Sequence, residues 1–83
     1  MAKYDPLRDF LKLSGATSIR IPLLFVEQMV GGLPQAAYRQ EAWWANEDQK
    51  STRHVQCKAW REAGYHAKLD RTLPAVTFVA DAA

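Results

Sequence analysis

Adjacent tryptophans followed by an asparagine, Trp43-Trp44-Ala45-Asn46, are the residues of this chain best equipped to recognise another molecule. An indole face stacks on a nucleobase for roughly 1–3 kcal/mol per base. An asparagine amide is one of the few side chains that pairs bidentately with an adenine edge. In an extended segment successive side chains point to opposite faces. Trp43 and Trp44 then cannot both enter one core, and one indole stays available to a base or to a partner's apolar pocket. The competing reading is structural: at least one indole wedges between helices and sheet, and Asn46 holds the following turn through its amide.

A basic stretch lies just downstream. Between residues 49 and 61 the chain carries Lys50, Arg53, Lys58 and Arg61 and no acid, whereas Glu41, Glu47 and Asp48 cluster immediately before. His54 and Gln56 fall in the first turn of the helix expected here, where free amides favour phosphate or another anion. His54, Lys58 and Arg61, at i, i+4 and i+7, share one side of that helix. The four cations read either as a phosphate-facing stripe or as a solvated helix face. Gln56 reads either as a ligand contact or as a partner for buried backbone near the tryptophans, with His54 on the surface.

Catalysis and metal binding find no constellation. His54 and Cys57 stand three apart and His66 follows, but a structural zinc site takes four ligands and no second cysteine exists. Cys57 with His54 would lack an orienting acid and oxyanion donors, and a lone helical cysteine serves most often as a small hydrophobe. Asp9, Glu27, Glu41 and Glu62 are spread over helix faces without visible pairing. Gly31-Gly32 stops a helix rather than cradling a phosphate. The expectation is a non-enzymatic protein with no cofactor and no metal.

The elements that must position these groups follow from composition and period. With 83 residues, 48% apolar and 11% aromatic, the chain suits one packed domain with one core, residues 1–83 with the core over about 4–79 and a frayed tail at 80–83. No apolar run reaches the roughly 20 residues of a membrane span, and no signal-peptide pattern opens the chain. A single cysteine forms no internal disulfide. These features predict a soluble, cytoplasmic protein without a membrane partner. A net charge of +2 is too small to identify a nucleic-acid binder by itself.

Asp5-Pro6 opens a helix whose Leu7, Phe10 and Leu11 form one stripe, closed near Leu13 by Gly15. Thr17 to Ile21 alternates as a short strand. Pro22 opens a second helix to about Val30, ended by Gly31-Gly32, and Leu33-Pro34 starts a short third one through about Arg39. Residues 40–50 read as extended or irregular. Ser51 or Thr52 caps a fourth helix ending at Gly64, with Val55, Gln56, Ala59, Trp60 and Ala63 on one side. Strands follow at about 65–69 and 75–79, turning at 70–74, with Val76 and Phe78 inward. The sum is an α+β fold: a small winged-helix-like domain of about four short helices and a three-stranded antiparallel sheet, formed if the early strand pairs with the terminal hairpin.

Lys3-Tyr4-Asp5-Pro6-Leu7, Leu33-Pro34, Ala42-Trp43-Trp44-Ala45-Asn46, His54-Val55-Gln56, Ala59-Trp60 and Ala63-Gly64-Tyr65 together resemble a small bacterial domain of unknown function. Its pattern runs KYxPL, LPxSA, AWWxN, a His-Ser-Gln-Ala stretch and AWxxAGW before a closing strand pair, and it spans nearly the whole chain. That domain occurs alone or fused to nuclease-type modules, so the resemblance implies a nucleic-acid context. The expected function is nucleic-acid binding through the basic helix side, Lys50, Arg53, Lys58 and Arg61. Trp43 or Trp44 with Asn46 would supply stacking or an edge contact, and His54 and Gln56 polar contacts. The alternative is a protein-interaction module, such as a small phage or mobile-element protein that inhibits or recruits a host complex. A homodimer burying an exposed Trp is a third possibility.

Overall fold

The structure, a computed structural model, describes residues 2–48 and 50–81. Helix α1 (Asp5–Ser14) leads to strand β1 (Ser18–Pro22), helix α2 (Leu23–Val30), helix α3 (Gln35–Arg39) and a 3-10 helix (Glu41–Trp44). Helix α4 (Val55–Glu62) and a hairpin of β2 (Tyr65–Asp70) and β3 (Ala75–Ala80) complete the chain. The fold is α+β, with a three-stranded antiparallel sheet in the order β1-β3-β2. The early strand therefore pairs with the last one, as the alternation in both had suggested.

Register explains which strand residues face the helices. Ile19 opposes Phe78 and Phe78 opposes Ala67, while Ile21 opposes Val76 and Val76 opposes Leu69. These two rows form the inner face, and Ile21, Val76 and Phe78 are buried. The intervening row, Arg20-Thr77-Lys68, faces outward. On the inner face Leu7 and Leu11 of α1, Leu23, Val26 and Val30 of α2, and Cys57, Ala59 and Trp60 of α4 close one continuous core.

Two glycines set the helix ends. Gly15 at φ 60° and Gly31 at φ 80° adopt the left-handed conformation that L side chains resist, and Gly31 and Gly32 both donate to the Glu27 carbonyl. At the start of α1 the sequence-based expectation shifts by one residue. Tyr4 is the cap position without a side-chain bond, and the Asp5 carboxylate instead accepts from the Ala2 amide.

Three further expectations are revised. Residues 41–44 form a 3-10 helix rather than an extended run, for a reason that lies in the tryptophans. Three residues per turn separates neighbouring side chains by about 120° rather than the 180° of a strand, so both indoles reach the core side. Helix α4 starts at Val55, not at Ser51 or Thr52, because His54 is extended (φ −87°, ψ 110°) and its amide is taken by the Thr52 hydroxyl. Val55 accordingly points to solvent, 58% exposed, instead of joining the core. The tail is ordered further than its composition suggested: Ala80 ends β3 and the Asp81 amide donates to the Gly64 carbonyl. Residues 82 and 83 of the expected frayed tail lie outside the described residues. No helix among the described residues is long and apolar enough to cross a membrane.

Candidate nucleic-acid interface

The Trp/Asn segment is built inward. Trp44 is 2% exposed, its indole N–H donates to the Ala37 carbonyl at 2.7 Å, and its ring stacks on Trp60 with centroids 5.3 Å apart. A buried, satisfied indole of this kind cannot stack on an external base, so Trp44 leaves the set of contact residues. Trp43 is half-buried, edge-on to Trp44 at 4.7 Å and to Tyr4 at 5.9 Å. It is the one indole of the pair that retains surface.

Both ends of the Asn46 amide are engaged internally. Its Oδ1 accepts from the Ala67 amide at 2.7 Å and from the Trp60 indole N–H at 3.0 Å, and its Nδ2 donates to the Ala67 carbonyl at 2.8 Å. A side-chain amide bonded to both the N–H and C=O of one strand residue imitates a neighbouring strand. It covers part of the free edge of β2 and fixes the indole at the centre of the core. The adenine-reading geometry expected of Asn46 is therefore occupied by Ala67.

Between this segment and α4 runs a loop held by a second cluster. Glu47 Oε1 accepts from the Thr52 hydroxyl and faces His54 Nδ1, each at 2.6 Å. The Glu47 amide donates to the Cys57 sulfur, which is buried. Asp48 closes the turn through bonds from the amides of Lys50, Ser51 and Thr52. The acidic patch beside the basic stretch is thus largely employed in shaping the loop. Cys57 turns its thiol to Glu47 backbone and His54 its ring to the Glu47 carboxylate, so the two do not form a nucleophile–base pair. Composition had not marked this network; the Glu47, Thr52 and His54 spacing was its one visible trace.

The basic residues divide. Lys50, Arg53 and Lys58 are exposed and enter none of the ion pairs among the described residues. Lys50 and Arg53 precede α4 in the loop and Lys58 is its fourth residue; the helix start has no side-chain cap. Its first backbone bond runs from Lys58 N to the His54 carbonyl, leaving the amides of Val55, Gln56 and Cys57 without partners among the described residues. Arg61 is different. It is half-buried, bonded to Asp81 at 3.0 Å and to the Tyr65 carbonyl at 3.2 Å. Gln56 is also half-buried, with Nε2 3.4 Å from the Trp43 carbonyl. Toward the end of α4 the charge becomes mixed, with Arg8 bridging Glu62 and Asp5. Along the loop and α4, the cations without ion-pair partners among the described residues are those within 50–58. Among the described residues no group of three His, Cys, Asp or Glu side chains is placed to hold a metal ion.

Two carboxylates in these networks are held below their ordinary range. Glu47 is lowered by the Thr52 hydroxyl and then by His54, and Asp81 by His66 and by Arg61. Because both are depressed in the folded state, the stability they contribute is complete above their ordinary values of 4.5 and 3.8 and is lost as pH falls through the lowered ones. In urea titrations across pH, a stability gap between the native chain and the E47Q/D81N variant should be open at about pH 5. It should close at more acid pH; a gap that persists there would contradict the assignment.

The chain belongs to the DUF7662 family, a domain of unknown function whose family model matches residues 4–82. No curated protein and no solved structure matches it.

Proposed function

We propose that this DUF7662 domain binds nucleic acid through the loop and first turns that open α4, in a winged-helix-like arrangement. The observation that carries the reading is the co-location of three exposed, unpaired cations, Lys50, Arg53 and Lys58, with an uncapped helix start. Free amides and the positive end of the helix dipole attract phosphate oxygens, and the cations add charge attraction and counterion release. Support for the winged-helix comparison comes from the helix and strand order, with β1 beside β3, and with α3 and the 3-10 helix inserted ahead of α4. The resemblance to domains fused to nuclease-type modules adds a nucleic-acid context by analogy.

The division of labour differs from the simplest sequence reading. Trp44, Asn46 and Trp60 fix the platform, Glu47, Thr52 and Cys57 shape the loop, and Lys50, Arg53 and Lys58 meet the ligand. His54 and Trp43 flank that surface, while Arg61 and Gln56 tie α4 to its neighbours. The role is binding rather than catalysis, since the thiol and the imidazoles face structural partners. Action in the cytoplasm suits a domain with one buried, unpaired cysteine.

One observation favours the second reading, a module that docks on protein. Leu13, Leu24 and Phe25 are 87%, 62% and 48% exposed, and Phe25 packs edge-on against Phe10 across α1 and α2. Exposed apolar surface of this kind serves protein contacts in many domains. The two readings separate in a fluorescence-anisotropy titration at low salt with labelled duplex DNA, single-stranded DNA and RNA of about a dozen nucleotides. Binding to at least one, weakened by K58E, is the expected result. No binding to any of the three would overturn the nucleic-acid reading and favour the protein-docking one.

A further inference from the structure

We propose that the outer face of the sheet carries a second anion-binding site, suited to the sugar–phosphate backbone of a nucleic-acid strand and separate from the α4 surface. An open concavity of about 450 Å³ lies there, lined by three cations, Arg20, Lys68 and Arg71, two carboxylates, Glu41 and Asp70, and the hydroxyls of Thr72 and Thr77. The strand register builds it. Arg20 of β1, Thr77 of β3 and Lys68 of β2 stand in one cross-strand row. That row places two cations about 10 Å apart across a central hydroxyl. Arg71 and Thr72 extend the surface onto the hairpin turn.

Three cations face two carboxylates here, so the concavity keeps a net positive charge even with Glu41 unpaired among the described residues. Asp70 is already consumed: one oxygen binds Arg20 at 3.1 Å and the other accepts from the Thr72 amide at 2.9 Å. Arg71 is anchored by a bond from Nη1 to the Arg39 carbonyl, leaving its remaining N–H groups for a ligand. Lys68 is exposed and has no carboxylate partner among the described residues. The hydroxyls of Thr72 and Thr77 add neutral donors. No aromatic ring lines the concavity, so it offers nothing for a base to stack on and everything for phosphate and ribose oxygens. Its volume exceeds that of a single phosphate, which favours a stretch of backbone over an isolated ion.

None of these residues belongs to the α4 surface, and α1, α2 and α4 pack on the opposite face of the sheet. The inference therefore stands whether or not α4 binds nucleic acid. If both surfaces act, one molecule holds two strand segments at once.

Amide-resolved NMR titration with hexathymidylate and, separately, with inorganic phosphate at low salt tests the proposal. Hexathymidylate should move the amides of Lys68, Thr72 and Thr77 saturably. K68E/R71E should weaken that response about tenfold or more, as expected when phosphate-facing cations are reversed. K68Q alone should weaken it in the same direction, which covers the case of a misfolded double variant. Silence of these amides, responses indifferent to both K68E/R71E and K68Q, or equally tight binding of inorganic phosphate would each overturn the proposal. Responses at the Lys58 amide in the same spectra report on the α4 surface independently.

Discussion

The N46A variant is expected to lose about 2–4 kcal/mol of stability, a large share of what a domain of this size possesses. Three bonds disappear together, and their former partners cannot all find water. Trp60 is fully buried and would keep an unpaired indole N–H, while Ala67, 5% exposed, would lose the partner of both its N–H and its C=O. An unsatisfied buried donor costs about 1–3 kcal/mol by itself. In thermal unfolding the midpoint should fall by roughly 10–25 °C, at the 4–8 °C per kcal/mol typical of small domains. A smaller loss is expected for W60F, which removes the indole donor but keeps an aromatic ring in the core. If Asn46 instead served an external ligand, N46A would melt close to the native temperature and fail only in binding.

How much of this was legible depends on the distance over which each residue acts. The stripe Leu7, Phe10 and Leu11, the alternation of Ile19 and Ile21, and the inward Val76 and Phe78 are local patterns, and the helices and strands they predict are present. The antiparallel sheet followed from them because a hairpin and one further strand with matching apolar faces have few other ways to bury them. The 3-10 helix at Glu41–Trp44 had no comparable signal. Two neighbouring tryptophans carry no period, and their conformation is decided by contacts with Tyr4, Trp60 and Phe78, far away in the chain. The same holds for Asn46, whose partner Ala67 lies 21 residues on. The start of α4 was displaced by a hydroxyl, since Thr52 binds Glu47 and the His54 amide rather than capping the helix.

At the candidate site the basic stretch was visible as composition, but its division was not. Arg61 looks like Lys58 in sequence and differs only because Asp81 and the Tyr65 carbonyl lie within reach once the hairpin folds back. The outer-face row Arg20-Thr77-Lys68 is hidden for a similar reason. Its members come from three strands, and only register brings them together.

In the proposed mode of binding Lys50, Arg53 and Lys58 meet phosphates while the tryptophan–asparagine segment holds the platform. Its most direct test is the salt dependence of duplex binding for the native chain and for K50Q/R53Q/K58Q. Three phosphate contacts correspond to a log–log slope near −2.7, so affinity should fall about fortyfold between roughly 50 and 200 mM salt. In the triply neutralised variant, with its melting temperature preserved, the slope should become shallower by close to that amount and the low-salt affinity should fall, any remaining slope being that of the outer sheet face. An unchanged slope in a folded variant would contradict the account.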